Sequence, residues 1–243
     1  MTFFLARTAG FFSDNVPSWR LLLLGGPPAL AWAWAALWFA GGLRQRGVRT
    51  GYTRKVFHFL IFGTVAALQG LWGTPAVCLF GGMSSLVIFF AVWQGPGHRL
   101  YEAMAREKDA PHRTYYIVAP YFATLIGGLF SNILFGPLAV VGYLVAGLGD
   151  AVGEPVGTRF GRHTYRVPSF GGVRSSRSWE GSAAVFAASL LALLLAAHGA
   201  GRSPAWLPLV ALASAAVEAV SPHGWDNATM QVVPTALVWL WMT

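Results

Sequence analysis

The sequence predicts an all-α fold: a polytopic integral membrane bundle of about eight transmembrane helices, with a range of about seven to nine. Of its 243 residues, 55% are hydrophobic and only 11% are charged, whereas soluble domains carry about 25% charged residues. Long apolar runs recur along the chain, and they must be helical because backbone groups in lipid are satisfied only within the segment. We therefore expect one membrane-embedded domain over residues 1–243.

Residues 1–18 precede the first apolar run and are too short and too interrupted to span a membrane. Arg7, Asp14 and Pro17 break the segment. Its aromatic side chains suit a position at the membrane–water interface. These aromatic residues are Phe3, Phe4, Phe11 and Phe12. The sequence therefore predicts an interfacial N-terminal segment.

Eight apolar runs follow the N-terminal segment. They cover residues 21–43, 55–72, 75–93, 115–130, 133–148, 182–198, 205–220 and 229–241. Several are shorter than the roughly 20 residues that a spanning helix requires. We therefore expect the helices to extend into the polar motifs on either side.

The distribution of basic residues predicts the orientation. Three connecting segments hold most of the Lys and Arg, and the segments that alternate with them hold only Arg202. The basic segments are 44–54, 94–114 and 149–181. Because basic loops stay in the cytoplasm, these segments are predicted to be cytoplasmic and both termini non-cytoplasmic. Residues 221–228 then also lie on the cytoplasmic side.

Charge and cysteine content exclude several classes of function. The net charge of +8 is, in a membrane protein, an orientation signal or an attraction to phosphate rather than a sign of nucleic-acid binding. The one cysteine, Cys78, excludes a disulfide framework and a cysteine-ligated metal site.

Residues 149–181 hold the densest charges between apolar runs, which marks a functional motif at the membrane surface. If the preceding helix continues to residue 160, Asp150 and Glu154 lie one turn apart on one face. Carboxylates so placed suit Mg²⁺, which takes one or two protein oxygens together with phosphate oxygens. Arginines that follow can grip phosphate bidentately. The motif therefore predicts a nucleotide and metal site.

Glycines repeat every fourth residue through the first part of this motif. They are Gly149, Gly153, Gly157 and Gly161. Such a repeat leaves one helix face bare, and the common use of a bare face is close helix packing. The acids and arginines interleaved with the repeat favour approach of a ligand as well.

Arg54, Lys55 and His58 open the second apolar run as TRKVFH. The cations serve either as membrane anchors or as phosphate ligands at a helix N-terminus. His58 is either a structural helix histidine or a group that takes a proton from, or hydrogen-bonds, a substrate hydroxyl.

Further candidates lie after residue 170. Arg174 and Arg177 are the strongest phosphate candidates, Glu180 is a candidate for metal binding, and Ser178 is predicted to cap the following helix. Two more acids are also candidates for metal binding: Glu218 within an apolar run and Asp226 before the last run. Helix capping is an alternative role for Asp226.

The charged connection between the third and fourth apolar runs is expected to be ordinary solvated chain without chemistry. Its charged residues are Arg99, Glu102, Arg106, Glu107, Lys108 and Asp109.

Four segments between about residues 53 and 228 resemble, in order, the motifs of the CTP-dependent polyprenol kinase family. The segments are TRKVFH, GDAVGEPVGTRFG, RSWEGSAAVF and VEAVSPHGWDN. RSWEGS is most similar to the phytol kinase branch; other branches are dolichol kinase and CTP-dependent diacylglycerol kinase. The resemblance implies that one set of residues forms a CTP-binding pattern. The set is Asp150, Gly157, Gly161, Arg177, Glu180 and Gly181.

The expected activity is therefore Mg²⁺-dependent transfer of the γ-phosphate of CTP to the hydroxyl of a prenol, such as phytol or geranylgeraniol, supplied by the bilayer. Asp150 or His58 would accept the hydroxyl proton. Alternatives are dolichol or diacylglycerol phosphorylation and formation of a CDP-lipid by a cytidylyltransferase. An anion transporter is disfavoured because the charges gather on one side of the membrane. The lipid, the number of metal ions and the oligomeric state are left open by the sequence.

Overall fold

The computed structural model of the chain describes residues 2–201 and 204–242, with side chains from residue 5 onward. Arg202 lies outside the described residues. The side chains of Phe3 and Phe4, which contribute to the predicted interfacial segment, lie outside the described side chains.

The described residues fold almost entirely into α-helices. The helices are α1 (Thr2–Asn15), α2 (Trp19–Gln45), α3 (Thr50–Trp72), α4 (Thr74–Gln94), α5 (Arg99–Glu102), α6 (Tyr115–Phe135), α7 (Ala139–Val145), α8 (Ala151–Phe160), α9 (Trp179–Gly199), α10 (Leu207–Val220) and α11 (Asp226–Met242). A π-helical turn, Ala146–Asp150, joins α7 to α8, so the helix does continue through the central motif.

A small β-hairpin departs from the all-α expectation. Strands β1 (Thr164–Val167) and β2 (Ser175–Ser178) pair antiparallel between α8 and α9. The turn between them holds Gly171 and Gly172 with φ of 65° and 72°, a region that costs glycine little. The hairpin carries Arg177 back towards the helix bundle.

Within the described residues, five helical stretches are long and apolar enough to cross a membrane. They are Trp19–Gln45, Thr50–Trp72, Thr74–Gln94, Tyr115–Phe160 and Trp179–Gly199. These stretches agree with an all-α membrane bundle. The count of about eight spans, the cytoplasmic face and the placement of the termini stay predictions.

The longest of these stretches is a helical hairpin. Gly136, between the two helices, has a φ of 58°. Across this turn, Asn132 Nδ2 of α6 donates to the Tyr143 hydroxyl of α7. A Cβ atom on Gly128 would lie 3.3 Å from the same hydroxyl. The chain therefore reverses at Gly136, and α6 lies beside α7.

The core lies on both sides of α3. One apolar cluster includes Phe62, Val145 and Met230 and joins α3 to α7, α9, α10 and α11. The other includes Phe57 and Phe80 and joins α3 to α2, α4 and α6. Because α3 packs against both groups of helices, its polar first turns lie at the centre of one end of the bundle.

The N-terminal segment is a regular helix packed on the bundle. Helix α1 contacts α4 and α6, and its Phe11 and Phe12 border a mostly apolar cavity. Its position at a membrane interface stays a prediction.

Candidate functional site

Three carboxylates from separate elements meet at one end of the bundle. Asp150 ends the π-helical turn, Glu218 lies in the last turn of α10, and Asp226 begins α11. One oxygen from each lies within 4.8 Å of the others. All three residues are buried, with exposed fractions of 3%, 7% and 7%. Buried like charges so close repel unless cations accompany them.

Two cations of the protein accompany this acidic cluster of Asp150, Glu218 and Asp226. Lys55 Nζ lies 2.5 Å from Asp150 Oδ2. Arg177 Nε lies 2.8 Å from Glu218 Oε1, and its Nη2 lies 2.9 Å from Asp226 Oδ2. Burial lowers the pKa of Arg177, but the carboxylates of Asp226 and Glu218 outweigh burial and raise it above its ordinary value. The ligand atoms of the cluster are carboxylate oxygens, the hard ligands that Mg²⁺ and Ca²⁺ take.

Glu154 lies one turn after Asp150 but outside the acidic cluster. Its carboxylate lies 2.7 Å from Arg106 Nη1, 3.3 Å from Lys108 Nζ and 3.7 Å from Lys55 Nζ. Glu154 therefore links three cations at the edge of the site. Lys55 lies between the two carboxylates, because α3 crosses the helix that carries both.

The expectation that the connection after α4 is ordinary solvated chain is wrong for two of its residues. Arg106 is 4% exposed and Asp109 is 1% exposed. Arg106 Nε donates to Asp109 Oδ2 over 2.8 Å, and Arg106 Nη2 lies 2.7 Å from His223 Nε2. The same ring nitrogen also lies 3.2 Å from Asp109 Oδ1, so His223 Nε2 contacts both members of the Arg106–Asp109 pair. The Arg106-x-x-Asp109 spacing, typical of an i,i+3 ion pair, is the sequence signal that could have identified the pair.

The surroundings of His223 lower the pKa of its imidazole ring. Burial lowers the pKa of His223, and the charge of Arg106 lowers it further, against the opposing effect of Asp109. Its backbone N–H donates to the Pro168 carbonyl over 2.8 Å. His223 therefore fixes the connection between α10 and α11 to both Arg106 and the hairpin segment.

A polar cavity of about 190 Å³ is lined by the acidic cluster, by Glu154 and by the cations that pair with these carboxylates. Its remaining wall is made of small and hydroxyl-bearing residues. They are Gly153, Gly157, Thr158, Thr164, Ser175, Ser176, Ser178, Gly181 and Ser182. A wall of this kind leaves room for a ligand and supplies hydroxyl donors for phosphate oxygens.

The glycine repeat also serves as a helix-packing face. A Cβ on Gly153 would lie 2.5 Å from Val185 Cγ2, and one on Gly157 would lie 3.0 Å from Ser178 Oγ. Helix α9 therefore approaches α8 closely along the repeat. A Cβ on Gly161 would lie 2.7 Å from Ser178 Oγ. Gly157 borders the polar cavity, whereas Gly161 packs against the start of α9.

A second, mostly apolar cavity of about 430 Å³ lies among α3, α4, α6 and α11. Arg54 borders both cavities. Its Nη1 is buried and has no hydrogen-bond partner within the described residues. His58 borders the apolar cavity, and its Nε2 lies 3.6 Å from Asp150 Oδ2. The two cavities therefore meet at Arg54, His58 and Asp150.

The orientation of His58 is fixed by the backbone. Its Nε2 lies 3.0 Å from the carbonyl oxygen of Ala146, which only accepts, so Nε2 carries a proton. The ring stacks on Phe62 with centroids 4.3 Å apart. Ala146 begins the π-helical turn that ends at Asp150, a rare geometry that is frequent at functional sites.

Three residues of the predicted site border neither cavity: Gly161, Arg174 and Glu180. Arg174 is exposed on the hairpin. Glu180, on the first turn of α9, accepts a hydrogen bond from His163 Nδ1 over 2.8 Å at the surface. Ser178, by contrast, confirms the predicted cap, since its Oγ accepts from the Gly181 N–H over 3.1 Å.

The fold and the site define a helical membrane protein with a buried acid–base site where a polar and an apolar cavity meet. The chain is similar to the phytol kinase of Synechocystis sp. (strain ATCC 27184 / PCC 6803 / Kazusa), with 35% identity over 127 residues, which cover 49% of this chain and 52% of that relative. The matched region thus spans about half the length of the curated relative. This similarity supports the polyprenol kinase family and suggests a phosphotransferase. No family model matches the chain, and no solved structure matches it.

Proposed function

We propose that this chain is a CTP-dependent lipid kinase that transfers the γ-phosphate of CTP to the hydroxyl of a membrane-soluble prenol, such as phytol or geranylgeraniol. The observation that carries the proposal is the position of Arg54. Its side chain borders both the polar cavity, which suits a triphosphate, and the apolar cavity, which suits a lipid. A phosphoryl group moving from one ligand to the other passes this guanidinium.

The acidic cluster fits Mg²⁺. Asp150, Glu218 and Asp226 present three hard oxygens within 4.8 Å of one another. Mg²⁺ bound here would neutralise charge on the phosphates of the nucleotide. Lys55 and Arg177 would hold the carboxylates in place for the ion, since both are already paired with them.

The remaining cations would bind the phosphates directly. Arg54 Nη1 is a buried donor without a partner within the described residues, and the γ-phosphate would supply its acceptor. Lys108 borders the polar cavity with a side chain that is 55% exposed. We assign it to the outer phosphates. Arg174 takes no part in this proposal because it borders neither cavity.

In the proposed reaction the lipid hydroxyl oxygen forms a bond to the γ-phosphorus, and the bond from that phosphorus to the bridging oxygen of CDP breaks. CDP leaves with the electron pair of that bond, and the hydroxyl proton passes to the protein. Asp150 and His58 are the two candidate acceptors, as both lie where the cavities meet. For His58 the accepting atom would be Nδ1, because Nε2 donates to Ala146.

The lipid would enter the apolar cavity with its hydroxyl towards Arg54. The volume of about 430 Å³ falls within the range of roughly 300–1,000 Å³ typical of small-molecule pockets. Phe11 and Phe12 of α1 contribute to its wall. Helix α1 would therefore cover one side of the bound chain.

The test uses purified protein in detergent with Mg²⁺ and γ-labelled CTP, ATP, GTP or UTP. Phytol, geranylgeraniol, farnesol, dolichol and diacylglycerol are offered separately, with a reaction lacking any alcohol as the control. Label should enter a prenol and should do so most rapidly with CTP. Absence of label in every lipid would contradict the proposal. Diphosphate release on addition of a lipid phosphate would instead identify a cytidylyltransferase.

A further inference from the structure

The wall of the apolar cavity holds two buried amide oxygens that have no hydrogen-bond partner within the described residues. Asn227 and Gln231 lie one turn apart on α11, and both border the cavity. Asn227 is 4% exposed and Gln231 is 0% exposed. Asn227 Oδ1 and Gln231 Oε1 have no hydrogen-bond partner within the described residues. A buried amide oxygen in this state is expensive, so its presence in a cavity wall calls for a donor.

The local hydrogen bonds fix which atom of each amide is the free one. Asn227 Nδ2 donates to the Pro120 carbonyl over 3.2 Å and to Thr124 Oγ1 over 2.8 Å. Gln231 Nε2 donates to the carbonyls of Thr124 and Asn227 over 3.1 Å and 2.7 Å. Backbone carbonyls only accept, so neither amide can be reversed without loss of these bonds. Oxygen is therefore the unpartnered atom in both side chains.

Asn227 is placed between the two halves of the site. The preceding residue, Asp226, belongs to the acidic cluster and pairs with Arg177. The Asn227 N–H donates to Asp226 Oδ1 over 3.0 Å. The first turn of α11 thus presents a carboxylate to the polar cavity and an amide acceptor to the apolar cavity.

A third amide in the same wall provides a contrast. Asn132 also borders the apolar cavity, but its Nδ2 donates to the Gly128 carbonyl over 2.8 Å and its Oδ1 accepts from Thr74 Oγ1 over 3.4 Å. Its hydrogen bonds hold neighbouring segments of the protein together. In Asn227 and Gln231 the amide nitrogen likewise donates to the protein, but the amide oxygen stays available to accept from a ligand.

We propose that Asn227 Oδ1, supported by Gln231 Oε1, accepts a hydrogen bond from the hydroxyl of a single-chain lipid alcohol in the apolar cavity. This inference rests on the proposed function for the identity of the ligand as the phosphate acceptor. Asn227 is then a positioning residue, which holds the hydroxyl oxygen near Arg54 and Asp150. The site would select a ligand whose polar end donates a hydrogen bond, and it would reject an ether, whose oxygen only accepts.

The proposal is tested by binding, without nucleotide or Mg²⁺. Tritiated geranylgeraniol is bound to the purified full-length protein in detergent and displaced by unlabelled geranylgeraniol or by geranylgeranyl methyl ether. The two competitors share the chain and differ by one donor. Loss of that donor should weaken binding about 10- to 100-fold, because the amide oxygen stays unpaired. Equal displacement by the alcohol and the ether would overturn the proposal.

Variants identify the residue responsible for the preference. Asn227→Leu should reduce the ratio of ether to alcohol dissociation constants to about 1, whereas the matched change Asn132→Leu should leave it at the wild-type value. Gln231→Met provides a second variant and should reduce the ratio in part. A general loss of packing would weaken both competitors equally and leave the ratio unchanged. An unchanged ratio in folded Asn227→Leu protein would overturn the assignment to Asn227.

The binding assay separates this proposal from the kinase proposal. A donor preference without phosphoryl transfer would keep the alcohol site and reject the kinase. Phosphoryl transfer by a protein that binds the alcohol and the ether equally would keep the kinase and reject the role of Asn227.

Discussion

Lys55 Nζ lies 2.5 Å from Asp150 Oδ2, and the two side chains are 4% and 5% exposed. They come from α3 and from the π-helical turn before α8. Breaking such a buried pair by removing one partner costs about 3–5 kcal/mol, whereas replacing both partners with apolar groups is often neutral. The pair therefore couples the packing of two helices to the charge balance of the acidic cluster.

The Lys55–Asp150 pair predicts a coupled pair of substitutions. Lys55→Met should lower the thermal midpoint strongly, because Asp150 then lies uncompensated beside Glu218 and Asp226. The double variant Lys55→Met, Asp150→Leu should recover much of that loss, although it should be inactive as a kinase. Thermal unfolding of the purified variants in detergent, followed by fluorescence, measures both effects. A double variant less stable than Lys55→Met would contradict the prediction.

The acidic cluster predicts which carboxylates set the metal requirement. Asp226→Asn should raise the Mg²⁺ concentration for half-maximal activity by about 10-fold or more, since loss of a ligand or its close support typically costs 10- to 100-fold. Glu180→Gln is the matched control, because Glu180 pairs with His163 away from the cluster. Its Mg²⁺ requirement should equal that of the wild type. A larger effect from Glu180→Gln would place the metal elsewhere.

The position of Arg54 predicts a selective loss of phosphoryl transfer. Arg54→Gln removes a charged donor to the proposed γ-phosphate, a contact worth about 1.5–3 kcal/mol. We therefore expect kcat/KM for CTP to fall about 10- to 100-fold, with little change in thermal stability. Arg46 is an exposed arginine directly after α2, and Arg46→Gln should leave kcat/KM unchanged. Equal effects of the two substitutions would mean that Arg54 contributes only general positive charge.

The burial of Arg106 predicts a structural role for a segment that the sequence presents as a surface loop. Arg106→Met leaves the carboxylates of Asp109 and Glu154 without their main cation, so we expect a loss of about 3–5 kcal/mol in stability. Glu107→Gln alters the neighbouring residue, whose side chain is 62% exposed and pairs with Arg44. That change should cost less than about 1 kcal/mol. Comparable thermal midpoints for the two variants would refute the role of Arg106.

His223 predicts a pH dependence of stability. Burial and the charge of Arg106 lower its pKa in the folded protein below the ordinary value of 6.5. The unfolded chain therefore binds a proton at this site first, and stability falls as the pH drops below about 6.5. The groups that face the ring are Arg106 and Asp109 and the ring of Tyr116.

The measurement compares thermal midpoints at pH 7.5 and pH 5.5. His223→Gln keeps an acceptor for Arg106 and does not titrate, so it should lose less stability on acidification than the wild type. An identical loss in both proteins would show that other groups cause the pH dependence.

Much of the fold follows from local sequence. The apolar runs predict the positions of the long helices, and several helices extend into polar motifs as expected: α3 begins at Thr50 and α9 at Trp179. The cap at Ser178 is likewise local, because it needs only a hydroxyl three residues before an N–H. The β-hairpin at residues 164–178 was missed. Its strands have four residues each, and only β1 (TYRV) alternates polar and apolar side chains, whereas β2 (SSRS) has no apolar residue.

The candidate site was only partly predictable. The sequence identified Asp150, Glu218 and Asp226 as candidates for metal binding, with helix capping as the alternative for Asp226, and it placed Arg54, Lys55 and His58 at a helix start on the same side. It did not distinguish these acids from Glu180, and it assigned no chemistry to Arg106. The sequence also gave no reason to examine Asn227 and Gln231, because a single amide in an apolar run is usually satisfied by its own helix neighbours.

The sequence by itself determined a helical membrane protein with its charges gathered at one end, because hydropathy and charge act through the composition of each segment. The tertiary structure decided which charges face one another. Glu180 and Arg177 lie three residues apart, yet Glu180 faces the surface at His163 and Arg177 enters the acidic cluster. That difference depends on how α8, α9, α10 and α11 cross and on which face each presents. The partners are distant in the chain, so no local pattern encodes their contact.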